Sequence, residues 1–285
     1  MFETILVPTD GSDCAAQALD HVVDIAGHYD ATVHVLTVVD VRDVETAPEG
    51  EPFEEAAAAV VDDAAERIGE DIETVHTVRT GYPDEEIRAY ADQIEAGLIA
   101  MGSHGRTGVR RFVLGSIAEK VVRLSDVPVL TVTASDDDRR PYENVLVPTD
   151  GSVGATAALD PAASLATAYD ATVHALSVVD TRALGADVRS DILVDTLEDN
   201  AASALDDLAA ELGDHGVETI TKHVLFGTPY QTIHNYVEDN DIDLVVMGTH
   251  GRTGLDRYLL GSVTEKIVRT SPVPVLSVRT PEGED

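Results

Sequence analysis

Cysteine and tryptophan are nearly missing from this chain, and long apolar runs are missing altogether. Its 285 residues include one cysteine, Cys14, and no tryptophan. A single cysteine excludes an intramolecular disulfide and a cysteine-rich metal site. No stretch approaches the ~18 uninterrupted apolar residues of a membrane helix, and the N-terminus has neither the basic region nor the cleavage site of a signal peptide. We therefore expect a cytoplasmic protein.

Basic residues are also scarce, with 19 lysines and arginines against 53 acidic residues and a formal net charge of −34. Such a surface repels nucleic acids and anionic membranes, because both bind to basic surfaces. The acidic residues are spread over the whole chain. This distribution is typical of a protein in a salt-rich cytoplasm, where ions screen the repulsion between like charges. We therefore interpret the charge as an adaptation to the solvent rather than as an interaction surface.

One long pattern occurs twice in the sequence. Three segments recur: 5–12 as 145–152, 29–34 as 169–174, and 103–108 as 249–254. The first two recur at an offset of 140 and the third at 146, so the second copy has six extra residues between Asp180 and Gly227. A repeat of this length indicates duplicated domains rather than a solenoid. We predict domains at 1–134 and 143–280, joined by a linker at 135–142 that lacks apolar periodicity.

Short apolar runs alternate with helical patterns within each copy. In the first copy, the pattern predicts a strand from residue 5 and further strands at 32–39, 72–79, 98–101 and 129–132. Ser12 and Pro83 are suitable residues for starting the helices between them. This alternation implies α/β domains with a parallel sheet and helices on both faces, doubly wound and Rossmann-like. Ligands bind such sheets at the carboxyl ends of the strands. We therefore expect the loops at 8–12, 39–40 and 102–108 to meet at one crevice.

The most informative motif is Gly-x2-Gly-x9-Gly-Ser, in the third of these loops. It comprises Gly102, Gly105, Gly115 and Ser116 in the first copy, and Gly248, Gly251, Gly261 and Ser262 in the second. Glycines let backbone amides approach an anion, and the final Gly-Ser opens a helix whose N-terminal amides favour phosphate. The serines also fit a capping box with Glu119 and Glu265, which requires no ligand. A cap does not explain the other glycines, or Arg106 and Arg252 beside them, so we favour phosphate binding.

These motifs, found twice and in order, resemble those of the universal stress protein family. The resemblance rests on the strand that ends in Pro-Thr-Asp-Gly-Ser, on the glycine motif and on a closing Val-Pro-Val-Leu. It covers nearly the whole chain, as a tandem of two family domains. It implies two five-stranded parallel sheets with strand order 3-2-1-4-5, and membership of the subgroup that binds ATP.

The resemblance also implies which residues contact the nucleotide. Asp10 and Asp150 would lie near the ribose and adenine. Glycine loops and the motif serines would hold the phosphates, with Mg²⁺ or Mn²⁺ bridging them. The base would pack on Val39 and Met101 in the first copy, and on Val179 and Met247 in the second. The complete expected set is Pro8, Thr9, Asp10, Val39, Met101, Gly102, His104, Gly105, Arg106, Gly115, Ser116, Pro148, Thr149, Asp150, Val179, Met247, Gly248, His250, Gly251, Arg252, Gly261, Ser262, Val263 and Thr264.

Two positions distinguish the copies within this pattern. Two positions after the Gly-Ser pair of the motif, some family members have a hydroxyl, and there the first copy has Ala118 while the second has Thr264. Before the fourth strand, the first copy has Gly97 and the second has Asp243. Both differences lead us to expect the second site to be the closer match to the family.

Several other polar residues have competing interpretations. We expect His104 and His250 to orient the glycine loop, with phosphate contact or general acid catalysis as alternatives. His34 and His174 lie in predicted strands and are expected to be structural. Asp10 and Asp150 could instead form turns, since Asp-Gly is a common turn pair. Cys14 is expected to be a small packed residue.

The segments Val127–Leu130 and Val273–Leu276 are predicted edge strands. An exposed apolar edge favours pairing with another strand, and proline is tolerated there because it has no N–H to donate. In the family this edge mediates dimerisation. We therefore predict an internal pseudo-dimer of the two copies and leave open a further homodimer.

The expected function is that of an ATP-binding stress-response or regulatory protein with little or no turnover, acting on an unidentified protein partner. One alternative is an enzyme, either a slow ATPase or a nucleotidyl transferase. A His-x-Gly-His signature would support the transferase, but Arg106 follows Gly105 where that histidine would stand. Another alternative is a dimerisation scaffold that binds no nucleotide, and the intact glycine motifs argue against it.

Overall fold

The chain divides into two compact units, Met1–Asp138 and Arg139–Asp285. The computed structural model describes residues 1–47, 52–105, 114–133, 141–180, 191–251 and 260–280. Most of the predicted linker at 135–142 lies outside these residues, so the predicted domain boundaries stay a prediction. Within the described residues, no helix has both the length and the hydropathy needed to cross a membrane.

Strands and helices alternate in the first unit. Its strands are β1 (Thr4–Pro8), β2 (Thr32–Asp40), β3 (Thr74–Gly81), β4 (Leu98–Gly102) and β5 (Val129–Val132). Its helices are α1 (Asp13–Tyr29), α2 (Val41–Thr46), α3 (Phe53–Ile68), α4 (Pro83–Gln93) and α5 (Ser116–Leu124). The short helix α2 was not predicted. It begins after Asp40, whose carboxylate accepts a hydrogen bond from the Arg42 amide over 2.9 Å and so caps the helix.

The second unit repeats this order with one interruption. Its strands are β6 (Asn144–Pro148), β7 (Thr172–Asp180), β8 (Ile220–Gly227), β9 (Leu244–Gly248) and β10 (Val275–Val278). Its helices are α6 (Val153–Thr156), α7 (Leu159–Tyr169), α8 (Asp191–Asp214), α9 (Pro229–Asp239) and α10 (Ser262–Thr270). The pair α6 and α7 replaces the single helix α1. The reason is Pro161, which stands where the first unit has His21 and has no N–H to donate to the Ala157 carbonyl.

Each unit contains a parallel sheet wound in the same order. The strands lie in the order β3-β2-β1-β4-β5 in the first unit and β8-β7-β6-β9-β10 in the second. The predicted fold class and the strand order 3-2-1-4-5 are therefore confirmed. The connection from β1 leads to β2 on one side, whereas β4 pairs with β1 on the other. The winding thus reverses at β1 and at β6, where doubly wound sheets bind ligands.

The central strands form the core of each unit. Ile5, Leu6 and Val7 are fully buried in β1, as expected for a strand covered on both faces of a parallel sheet. An aromatic pair closes the amino end of the same strand, with the Phe2 and Tyr29 ring centroids 5.2 Å apart. The second unit repeats the pair with tyrosines. The duplicated sequence therefore builds the same core twice.

Each edge strand begins two residues later than the predicted segments 127–130 and 273–276. Pro128 precedes β5 and has no N–H for the ladder, but its carbonyl accepts a hydrogen bond from the Ile99 amide over 2.9 Å. The proline is thus bonded to β4 without being part of the regular strand. The pairing of the two edges with each other stays a prediction.

Candidate functional site

The turn after β1 contributes Asp10 to the carboxyl edge of the sheet. Its Oδ1 accepts a hydrogen bond from the Ser12 amide over 3.0 Å, which makes the turn. Its Oδ2 points toward the glycine loop, since a Cβ built on Gly105 would lie 2.6 Å from that oxygen. Asp10 therefore forms the turn and also lies at the crevice, so the two interpretations of this residue are compatible.

Thr9 ties this turn to the neighbouring strand. Its amide donates to the Leu36 carbonyl over 2.8 Å, and its carbonyl accepts from the Thr37 hydroxyl over 3.0 Å. The Thr9 hydroxyl accepts a hydrogen bond from the Gly11 amide over 3.2 Å. Thr149 repeats two of these contacts in the second unit, where its amide donates to the Leu176 carbonyl over 2.8 Å and its hydroxyl accepts from the Gly151 amide over 3.1 Å. These threonines hold the ends of the two strands together.

The glycine loop folds back on itself after β4. The Gly115 amide donates to the Ser103 carbonyl over 2.8 Å, which brings the end of the loop to its beginning. The side chain of His104 reaches the Ser103 hydroxyl, with 2.8 Å between Nδ1 and Oγ. Burial lowers the pKa of His104 below its ordinary value of 6.5, so its imidazole is neutral at pH 7. A neutral imidazole bonded to its neighbour orients the loop and is a poor general acid.

The helix that follows the loop begins without a side-chain cap. Gly115 is the N-cap of α5 and Gly261 that of α10, and neither helix has a side-chain capping bond. The capping-box interpretation is therefore wrong, because Ser116 and Ser262 are the first helical residues rather than the caps. The amides of the first turn have no partner within the helix, and the dipole favours an anion there. The exposed hydroxyl of Ser116 lies beside these amides.

These features of the first unit surround one cavity of about 500 Å³. The predicted residues that line it are Pro8, Thr9, Asp10, Val39, Met101, Gly102, His104, Gly105, Gly115 and Ser116. The cavity thus brings together the predicted residues of the first copy that the structure describes. Arg106 and Arg252 lie outside the described residues.

The cavity has chemically different sides. On the β2 side, α3 contributes Phe53, Ala56 and Val60, and α4 contributes Pro83 and Ile87. On the β4 side lie the glycine loop and the start of α5. Because β2 and β4 flank β1, the apolar side and the amide-rich side are separated by the turn that carries Asp10. The cavity could therefore bind a ligand that has a flat apolar group at one end and an anionic group at the other.

Sequence reasoning missed the contribution of α3 to this cavity. The spacing of residues 53, 56, 57 and 60 is that of one helix face, so the apolar stripe was visible in the sequence. The sequence did not indicate that the N-terminal end of this stripe extends beyond the sheet and over the crevice.

The charged residues in the described lining of this cavity, in contrast, are acidic. Asp10, Asp40 and Asp43 line it, whereas its described lining contains no lysine or arginine. The Arg42 guanidinium donates hydrogen bonds to Asp40 and holds the pKa of that carboxyl below its ordinary value. Asp40 is therefore ionised at neutral pH, with its charge held beside that of Arg42.

The second unit repeats the arrangement of the first around Asp150. A Cβ built on Gly251 would lie 2.9 Å from Asp150 Oδ2, and His250 contacts the Thr249 hydroxyl over 2.8 Å. Pro148 ends β6, Val179 and Met247 are buried near the ends of their strands, and Val263 is the second residue of α10. The same residue types therefore occupy the same places.

Two residues that were expected to favour the second site have other roles. The buried hydroxyl of Thr264 donates to the Gly248 carbonyl over 2.9 Å, so it holds the loop. The Asp243 carboxylate accepts hydrogen bonds from the Glu143 and Asn144 amides over 2.9 and 2.8 Å. Asp243 precedes β9 and lies at the amino edge of the sheet, opposite the crevice. It therefore does not distinguish the two sites.

Comparisons with known proteins agree with this architecture. The sequence model of the universal stress protein family matches residues 1–133 and 141–279. A universal stress protein of Methanocaldococcus jannaschii is 36% identical over 146 residues, which are 50% of this chain and 85% of the relative. A second one from that organism is 30% identical over 155 residues, 48% of this chain and 95% of the relative.

A solved structure matches both units together. The crystal structure of a universal stress protein from Archaeoglobus fulgidus is similar to this chain with a TM-score of 0.75 and 24% identity, covering 99% of this chain and 100% of the other. At that identity the likeness shows the fold alone. With the family model matching both repeats, the chain belongs to the universal stress protein family, as a tandem of two family domains.

Proposed function

We propose that each copy binds ATP with a divalent cation, and that the chain is a nucleotide-dependent stress-response or regulatory protein with little or no turnover. The observation that carries the proposal is the cavity in the first unit, where an apolar side faces an amide-rich loop across Asp10. Its volume of about 500 Å³ lies within the range of ~300–1,000 Å³ for ligand pockets. The repeated residues of the second unit support a second site.

The two sides of the cavity support one orientation of the nucleotide. Val39 and Met101 offer buried apolar surface to the base. Asp10 lies between the two sides and suits the ribose hydroxyls, since a carboxylate accepts their hydrogen bonds. The first-turn amides of α5 and the Ser116 hydroxyl suit the phosphates.

The acidic lining supports a requirement for Mg²⁺ or Mn²⁺. The Asp10 and Asp43 carboxylates would repel a polyphosphate unless a cation offset its charge. Among the described residues no group of three metal-ligating side chains exists, so the cation would be bound mainly through the phosphates. We expect ATP affinity to fall sharply when the divalent cation is removed by chelation.

We propose low turnover because the histidines of the glycine loops are poorly suited to act as general acids. His104 and His250 each bond to the adjacent hydroxyl, and the lowered pKa of His104 leaves little of the protonated form that could donate a proton at pH 7. A slow ATPase, a nucleotidyl transferase and a scaffold without nucleotide stay the alternatives. The cytoplasmic location, the unidentified protein partner and the internal pseudo-dimer stay predictions of the sequence.

Titration calorimetry with ATP and Mg²⁺ in high-salt buffer tests this proposal. We expect two ATP molecules per chain, recovered intact afterwards, whereas rapid appearance of ADP would indicate an enzyme. In the double variant Gly105→Val and Gly251→Val, the new side chains displace Asp10 and Asp150, whose flexible carboxylates lie 2.6 and 2.9 Å from the added Cβ atoms. The fold should survive and binding should be lost.

A glycine substitution outside the two sites controls for nonspecific effects. Gly213 lies in α8 and has no atom within 4 Å of an added Cβ, so Gly213→Ala should bind ATP like the unmodified chain. Undiminished affinity in the double variant would show that the glycine loops are not the site.

A further inference from the structure

Phe53 is the one Phe, Tyr or Trp residue in the described lining of the first-unit cavity. It is the first residue of α3 and is half-buried. The chain is poor in such rings, with four phenylalanines and no tryptophan. Elsewhere in this unit Phe2 pairs with Tyr29, and His34 pairs with Tyr90. Within the described part of the chain, Phe53 makes no contact with another aromatic ring.

The neighbours of Phe53 on α3 are small or aliphatic. Ala57 is buried against the sheet, while Ala56 and Val60 line the cavity with Phe53. The phenyl ring is therefore the flat, conjugated surface that α3 offers to a ligand. It lies on the apolar side, opposite the loop that suits phosphates.

The second unit differs at this position. The buried residues of α3 are Ala57, Val61, Ala64 and Ile68, and those of α8 with the same spacing are Ala201, Leu205, Leu208 and Leu212. This register aligns Phe53 with Leu197, Ala56 with Asn200 and Val60 with Ala204. Leu197 is half-buried like Phe53. The second unit thus has an aliphatic side chain where the first has a ring.

We infer that Phe53 is a specificity-determining residue that stacks on the base, and that it gives the first site a preference for purine over pyrimidine nucleotides that the second site lacks. The inference rests on the proposed function, because it assumes that the base lies on the apolar side. A purine has two fused rings and stacks on an aromatic ring over a larger area than a pyrimidine. A leucine side chain cannot stack in this way and contacts either base only by apolar packing. The competing explanation is that Phe53 only packs α3 onto the sheet.

The experiment uses the full chain with Gly251→Val, so that the first site alone is titrated with the Mg²⁺ complexes of ATP, CTP and tripolyphosphate. Phe53→Leu copies the second unit. We expect it to weaken ATP binding about fivefold or more, the effect of losing one base-stacking contact. The ratio of ATP to CTP affinity should fall, and tripolyphosphate affinity should stay unchanged because that ligand has no base.

Two further variants complete the test. Phe226→Leu makes the same chemical change at an exposed position of β8 and should change no affinity. In the Gly105→Val background, Leu197→Phe should raise the ratio of ATP to CTP affinity at the second site.

The outcomes separate this inference from the proposed function. Unchanged ATP affinity in Phe53→Leu, or equal losses for all three ligands, would overturn the stacking role while leaving ATP binding in place. If the single-site chain with Phe53 intact binds none of the three ligands, the proposed function is wrong and the inference is wrong with it.

Discussion

The two units hold the same glycine loop with different neighbouring residues. A Cβ built on Gly102 would lie 2.7 Å from the Cβ of Cys14, whereas one on Gly248 would lie 1.9 Å from the carbonyl oxygen of Gly154. Gly154 occupies the position of Cys14, so the second unit allows two backbones to approach more closely. There, Thr264 also bonds to the loop, while the first unit has Ala118. The described ends of the loop are joined by the same 2.8 Å hydrogen bond in both units, from the Gly115 or Gly261 amide to the carbonyl of Ser103 or Thr249, while the residues packed against them differ.

The helices that flank the site show a second difference. In the first unit, the buried carboxylate of Asp84 on α4 accepts a hydrogen bond from Lys120 on α5 over 2.9 Å. In the second unit, Tyr230 replaces the aspartate, and the Lys266 ammonium lies 5.7 Å from the centre of its ring. A salt bridge in one unit is replaced by a cation–π contact in the other. Both units have this lysine, but its removal leaves a buried carboxylate in the first unit and a tyrosine ring in the second.

A third difference concerns the polar cluster between the outer strands and the adjacent helix. In the first unit, Thr77 and His34 both contact the Tyr90 hydroxyl, over 2.8 and 3.1 Å. In the second unit, His223 replaces the threonine and stacks on His174 with ring centroids 6.1 Å apart. The exchange places two titratable rings together, so the copies should differ in their response to acid.

The largest effect is expected from Gly248→Ala. The added Cβ would meet the Gly154 carbonyl oxygen at 1.9 Å and the Ala155 Cα at 3.2 Å, and backbone atoms cannot move aside as a side chain can. We expect a loss of about 3 kcal/mol in the free energy of unfolding of the second unit. Gly102→Ala should cost the first unit less. Hydrogen exchange on the full chain resolves the two units.

A glycine in open space controls for this prediction. Gly213→Ala adds a Cβ that meets no atom within 4 Å, and alanine is favoured over glycine within a helix by about 0.5–1 kcal/mol. It should therefore not destabilise the second unit. Equal costs for Gly248→Ala and Gly213→Ala would mean that the backbones are not in close contact at the loop.

A smaller effect is expected from removing the lysines that flank the two sites. Lys120→Met leaves the Asp84 carboxylate buried without its cation, which costs about 1–3 kcal/mol. Lys266→Met loses a cation–π contact at an exposed position, worth about 0.5–1 kcal/mol. Urea denaturation of both variants measures the difference. A larger loss for Lys266→Met would contradict the assignment of the stronger pair to the first unit.

Much of the architecture was predictable from the sequence because its signals are local. The apolar runs of β1 and β4 have the length of buried strands, and the duplicated Asp-Gly turn and glycine motif fix the loops at their carboxyl ends. The resemblance supplied the strand order. These signals correctly brought Asp10 and Gly105 to one edge of the sheet, where they line the same cavity.

The errors arose where distant contacts decide the role of a residue. Asp243 precedes a strand of the site, but its partners are amides about 100 residues away in sequence. Ser116 fits a capping box by spacing, yet the helix begins at that serine rather than after it. Phe53 was not predicted to be a site residue, because nothing local indicates that α3 reaches over the crevice.

The smallest predicted effect is a difference in acid sensitivity between the units. In the second unit, burial and then the nearby His223 lower the pKa of His174 below its ordinary value of 6.5. In the first unit, burial lowers the pKa of His34, but the charge of Glu73 partly opposes that shift. A histidine whose pKa is lowered by folding binds protons more readily in the unfolded chain. The stability it contributes is therefore present above pH 6.5 and is lost as the pH falls through the folded pKa.

His223→Thr copies Thr77 of the first unit and should make the second unit less sensitive to acid, because it removes the like charge that opposes protonation of His174. Thr77→His should make the first unit more sensitive. Hydrogen-exchange protection of β7 and β2, corrected for intrinsic exchange and compared between about pH 8 and about pH 5, measures both changes. If β7 loses the same protection with and without His223, the histidine pair is not the cause, and burial of His174 alone accounts for the acid response.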